Sequence, residues 1–176
     1  MREFRELTDL STFDLFGFGA ADIPAPEQMP ELRWFWMTSL PEDAAKAAKQ
    51  FWKSKPGMNL RITKPRKPEW LAQNLDNPFR GWDGAEHIPA AAAKKAAGQY
   101  RKTRSQLMKL ATQPSENAQA LEAVAAYTQT FNKMRFIETE ERDEIYMALC
   151  GILDALPDNT LPKDALIEKF EELRDF

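Results

Sequence analysis

From Pro89 to the end of the chain, apolar residues recur every three or four positions, the period of an amphipathic helix. The first predicted helix runs from Pro89 to about Thr112. Ala92, Ala96, Tyr100, Thr103, Leu107 and Leu110 form its apolar stripe, and Lys94, Lys95, Arg101, Lys102, Arg104 and Lys109 fill the opposite half. Pro114 and Ser115 mark a break, after which a second helix spans about Ser115 to Arg135 with Ala118, Leu121, Val124, Ala125 and Phe131 inward. A third follows Thr139, a hydroxyl placed to cap it, and carries Ile145, Ala148, Leu149, Ile152 and Leu156 on its core stripe. A fourth covers Pro162 to Arg174.

Before Pro89 the pattern is mixed. Thr8 to Pro30 is aromatic first and then punctuated by Gly and Pro, which predicts an irregular wrap docking Phe13, Leu15, Phe16 and Phe18 on the core. Leu32–Met37 reads as an extended segment. Ser39 with Glu42 makes a capping-box pattern, opening a helix that Pro56 and Gly57 end. Met58–Thr63 alternates as a short strand. Lys64–Pro89 is irregular, with a helical turn at Glu69–Leu75, and holds Trp70, Arg80 and Trp82; long structured loops of this kind often carry function. No internal repeat stands out. The expected fold is mainly α, in the α+β class. It is a single domain over 1–176 in which a wrap with at most a small two-stranded sheet (1–63) and the loop (64–89) precede a bundle of about four helices (90–176).

Composition agrees with a globular chain: of 176 residues, 43% are hydrophobic and 29% charged, with eleven Phe and five Trp for a core. The lone Cys150 allows neither an intrachain disulfide nor a cysteine zinc site and reads as a small core filler, so a reducing cytoplasm is expected. Arg2 and Arg5 are followed by Glu6, Asp9 and Asp14 rather than by an export signal's apolar region. No run approaches the ~20 apolar residues of a membrane span. No membrane partner is expected.

Charge changes the picture more. Residues 1–41 carry three basic and seven acidic groups, 42–113 fifteen and six, and 114–176 six and fourteen, within a net charge of −3. Either the basic middle packs on the acidic C-terminal part, or it offers a surface to an acidic partner. The basic helix, with Lys64, Arg66, Lys67 and Arg80 beside Trp70 and Trp82, has the makings of a nucleic-acid surface.

Glu138, Glu140, Glu141, Asp143 and Glu144 crowd the start of the third helix, where carboxylates favour the positive end of the helix dipole. Glu138 and Arg142 are spaced as an i,i+4 ion pair. A helical di-iron site would need Glu-x-x-His pairs, and the one histidine, His87, is in none, so no metal or cofactor is expected. His87 lies near Asp83 and Glu86; a carboxylate beside imidazole suits a general base, while capping of the basic helix by Glu86 or His87 is the simpler role. Phosphate-loop, dinucleotide and nucleophile-elbow motifs are absent from the sequence.

Phe131-Asn132, Ile137-Glu138-Thr139 with Arg142, and the terminal Arg174-Asp175-Phe176 resemble features of a bacterial family of small helical proteins known only as a domain of unknown function. The resemblance covers about the last seventy residues, implies a helical bacterial protein and assigns no catalytic residue. The expected function is non-enzymatic protein binding of an antitoxin or immunity type that occludes a partner, through Glu140, Glu141, Glu144, Trp70, Arg80 and Trp82. The alternative is nucleic-acid binding through Lys94, Lys95, Arg101, Lys102, Arg104 and Lys109 together with the 64–89 loop.

Overall fold

A computed structural model describes residues 5–112 and 117–176. The chain divides into two compact units, one ending at Asp76 and the other beginning at Asn77, so the boundary falls inside the loop. The expected break at Pro114 and Ser115 lies outside the described residues.

The first unit is built on a three-stranded parallel sheet in the order β1 (Asp9–Thr12), β2 (Trp34–Thr38), β3 (Asn59–Thr63). A third strand therefore forms within the stretch expected to be irregular. Its register shows why. Asp9 pairs with Trp34 and Trp34 with Asn59, and the same offset of 25 residues relates every pair along the ladders. The offset extends beyond the strands. Leu7, Leu32 and Gly57 are equivalent, as are Leu10, Phe35 and Leu60, then Thr12, Met37 and Ile62, then Leu15, Leu40 and Pro65. Asp14, Ser39 and Lys64, also equivalent, all take the left-handed conformation, so each strand ends in the same corner. Helices recur in the same phase: α1 (Glu42–Trp52) follows β2, and α2 (Pro68–Asn74) follows β3.

The chain thus contains an internal repeat after all, a strand and its return segment stacked as a short solenoid. Burial follows the stacking. In the middle turn Leu32, Phe35, Met37 and Leu40 are buried, whereas Leu7, Leu10, Leu60 and Ile62 of the flanking turns are half-covered. Trp52, Ala44 and Ala48 of α1 complete this core, with Trp52 edge-on to Phe35. Ser39 is not the cap of α1; it is buried at the strand corner, and Pro41 precedes the helix. Leu15 and Phe16 dock inward as expected, while Phe13 and Phe18 are exposed.

The second unit is helical: α3 (Ala90–Leu110), α4 (Asn117–Phe131), α5 (Thr139–Asp154) and α6 (Lys163–Leu173). Leu107, Tyr127, Phe131, Ile145, Leu149, Ile152, Leu166 and Phe170 fill its core. The inner face of α4 keeps Val124 and Phe131 of the expected stripe but is turned toward Ala120, Ala123, Tyr127 and Thr128, leaving Leu121 and Ala125 half-buried and Ala118 exposed. Tyr127 Oη donates to the Ile145 carbonyl at 2.8 Å, tying α4 to α5. Helix α4 stops at Phe131, short of the expected Arg135, and the Asn132 side chain that follows reaches to α6. Its Nδ2 donates to the Leu173 carbonyl at 2.8 Å and its Oδ1 accepts from the Asp175 amide at 3.1 Å, clasping the end of α6.

If the 25-residue register organises the first unit, equivalent positions should differ in cost according to their turn. Leu32→Ala, fully buried, should destabilise by about 2–5 kcal/mol and Leu7→Ala by well under half of that. Denaturant unfolding of both variants measures the difference; equal losses would contradict the stacking.

Candidate functional site

Side chains alternate across a strand, so one face of the sheet meets the core and the other is open. The open positions are Asp9, Ser11 and Phe13, then Trp34 and Trp36, then Asn59, Arg61 and Thr63, while Thr38 on the same face is buried. Phe13 is 59% exposed and meets the Trp36 ring edge-on at 5.3 Å. The Arg61 guanidinium lies over Trp36 at 4.7 Å. Trp36 Nε1 donates to Thr63 Oγ1 at 2.9 Å, and Thr63 Oγ1 is 3.0 Å from Thr38 Oγ1. Trp36 is thereby held at its edge, face and polar tip while remaining partly open to solvent. This cluster was not among the candidates from sequence. Its signal was present in the alternation of Trp34 and Trp36 with Phe35 and Met37, and the missed repeat concealed which set faces outward.

The candidates placed on the 64–89 loop separate. Trp70 lies in the first unit, half-buried, stacked on Phe16 at 5.4 Å with Arg66 over its ring at 4.1 Å. Arg80 and Trp82 belong to the second unit in a single turn of 3-10 helix, where Arg80 is half-buried. Trp82 is 2% exposed and packs against Phe79, Phe131 and Phe136, so it is a core residue and meets neither a protein partner nor a base.

Two members of the carboxylate cluster also turn inward. Trp82 Nε1 donates to the Glu144 carboxylate. Glu141, 5% exposed, receives the Glu138 amide at 3.0 Å on one oxygen and lies 2.8 Å from His87 Nε2 with the other. Glu138, not Thr139, is the N-cap residue of α5. Of the three acids assigned to a partner, Glu140 is exposed, Glu144 is half-buried and Glu141 is withdrawn. The Glu138–Arg142 ion pair does not form; the described contact between them is the helical backbone bond from the Arg142 amide to the Glu138 carbonyl. His87 does not cap α3, which begins after Pro89 without a side-chain cap. Cys150 is half-buried on α5. Among the described residues no cluster of His, Cys, Asp and Glu is arranged to hold a metal.

The bond to Glu141 raises the His87 pKa against the opposing effect of desolvation, with help from the nearby Glu138 and Glu140 charges. Burial pushes the Glu141 carboxyl up, but the His87 bond and the amides of Glu138 and Glu141 outweigh it and leave the pKa lowered.

Lys94, Lys95, Arg101, Lys102, Arg104 and Lys109 are all exposed on α3. The expected packing of this basic face on the acidic C-terminal part does not occur. Acids there pair locally instead, Glu172 with Lys169 at 2.9 Å and Glu171 with Arg174 at 2.8 Å, and among the described residues none of the six α3 cations joins a salt bridge. No helix of the described residues is long and apolar enough to cross a membrane.

No family model, curated protein or solved structure matches the chain. The geometry of these surfaces is therefore the ground for a functional reading.

The His87–Glu141 pair predicts a pH window for stability. A raised imidazole pKa contributes below the ordinary value of about 6.5 and is lost as pH rises through the folded value; a lowered carboxyl pKa contributes above about 4.3 and is lost as pH falls. The stability advantage of the native chain over His87→Ala should peak at about pH 4.3–6.5 and shrink on either side. Denaturant midpoints across pH test this, and a flat difference would show that the bond is not charge-assisted.

Proposed function

We propose that the protein binds another protein through the open face of its three-stranded sheet. The observation that carries this reading is the clamped, partly exposed Trp36 between Phe13 and Arg61. Binding energy at protein interfaces concentrates in a few Trp, Tyr and Arg side chains, and one already immobilised loses little entropy when a partner arrives. Stacked strands also present such residues on a continuous frame. The 25-residue spacing and the Leu32-x-x-Phe35-x-Met37 core pattern follow the leucine-rich class of solenoid, whose strand face is a common binding surface. The pattern departs from that class at Thr12, Gly57 and Pro65.

Asp9, Ser11, Asn59 and Arg61 surround the aromatics with polar groups, the arrangement of a central anchor and a hydrated rim. Occlusion of a partner, as an antitoxin or immunity-type protein performs it, suits a preformed face of this kind. Glu140, exposed on α5, adds to the long-range attraction of a basic partner.

The test is affinity capture followed by titration of the captured protein against variants. Trp36→Ala should weaken its binding by about thirtyfold or more, the effect of losing a hot spot of about 2 kcal/mol. Arg61→Glu should weaken it while leaving the unfolding midpoint near that of the native chain. A captured protein that binds both variants as tightly as the native chain would remove the sheet face from the function.

A further inference from the structure

A second surface, independent of the sheet, lies in the helical unit. Helix α3 carries no acidic residue along its length. From Lys94 to Lys109 its open cations extend over about 22 Å at ~1.5 Å per residue. At the start of the helix this strip runs into a groove of about 510 Å³, floored by Ala91, Ala92 and Phe136 and rimmed by Lys95, Lys133 and Arg135. Lys95 belongs to both features. Among the described residues none of the three rim cations is in a salt bridge, and all three are exposed. Phe136 is fixed from behind by the buried Trp82, whose ring meets it nearly at right angles at 5.5 Å. The groove combines apolar lining, an aromatic ring packed on Trp82 and positive charge.

We propose that this surface binds single-stranded nucleic acid, with phosphates along α3 and one unpaired base in the groove against Phe136. The complementarity is twofold. A phosphodiester backbone matches a line of cations on a helix that itself holds no acid, with Glu122 of α4 the acid that lines the same depression as Lys102 and Lys109. A base matches the floor because its two faces are apolar and its rim is tied to a phosphate, the pairing that aromatic platforms beside basic channels exploit. The first amides of α3, at Ala90 and Ala91, have no partner within the helix and point toward the same end. A purely acidic polypeptide such as polyglutamate would satisfy the cations but not the floor, and a duplex would satisfy the strip but has no free base to offer. The volume is within the range of small-molecule pockets, roughly 300–1,000 Å³.

The experiment is fluorescence anisotropy with a labelled single-stranded oligonucleotide, the matching duplex, and polyglutamate as competitor. It compares the native chain with Phe136→Leu, with Lys95→Gln/Lys133→Gln, and with Arg101→Gln/Lys102→Gln. Single-strand affinity should fall with salt at a log–log slope of about −4 if six phosphates are engaged. Phe136→Leu should weaken the single strand about tenfold and the duplex hardly at all. Lys95→Gln/Lys133→Gln changes only exposed side chains, and should likewise weaken the single strand more than the duplex even if Phe136→Leu folds poorly. Arg101→Gln/Lys102→Gln should weaken both alike. Salt-dependent binding that neither groove variant changes would overturn the base-binding groove. Absence of salt-dependent binding, or displacement by polyglutamate at equal charge concentration, would overturn the whole surface. Neither result touches the reading of the sheet face, which lies on other residues.

Discussion

The first unit rests on the constant offset between its strands. A single strand with its return segment has one apolar edge and nothing of its own to cover it, so each turn depends on the next being in register. Because the offset is the same at Asp9, Trp34 and Asn59, equivalent side chains fall into columns. Phe35 and Met37 are sealed by neighbours on both sides, whereas Leu10 and Leu60 are sealed on one. The left-handed corners at Asp14, Ser39 and Lys64 follow from the same demand, since columns persist only if every strand leaves the sheet in the same direction. None of these three is glycine, so each corner costs some backbone strain, of order 1 kcal/mol, offset by the ladder it keeps aligned.

The same columns create the exposed face. Once Phe35 and Met37 point inward, alternation leaves Trp34 and Trp36 no choice but to point out. Two tryptophans on the open side of a short sheet contribute little to the core. Trp36 is nevertheless surrounded by contacts that restrain it: the Phe13 edge, the Arg61 face and the Thr63 hydroxyl. A side chain restrained without being buried is the arrangement that lowers the entropic cost of a later contact.

Legibility in the sequence followed the range of the interactions. Helices α3, α5 and α6 could be read because an amphipathic stripe is a local property, and the exposed face of α3 came with it. Repeats in the first unit were hidden by Thr12, Gly57 and Pro65 standing where Leu32, Met37 and Leu40 show the pattern, and by a first turn whose return segment lacks a full helix. Strand β1 has one large apolar residue, Leu10, and acquires its conformation from β2 rather than from its own propensity. Crowded carboxylates at the start of α5 were correctly placed at a helix N-terminus. That Glu141 and Glu144 face inward depends on His87 and Trp82, 54 and 62 residues away, and no local pattern carries that information.

Charges in the helical unit are used in two ways, and the contrast bears on function. Glu141 and Glu144 are spent on fastening the 77–89 segment to α5, so their negative charge is largely committed to the fold. Glu171 and Glu172 are paired within α6 and its end. Exposed lysines and arginines on α3 have no such employment, although the C-terminal part holds more than enough acids to neutralise them. Helix formation does not require them either, since alanine or glutamine would serve α3 as well. Solvated cations held on one face of a rigid helix are therefore a surface property rather than a folding device, and their presence is best understood through what they meet outside the chain.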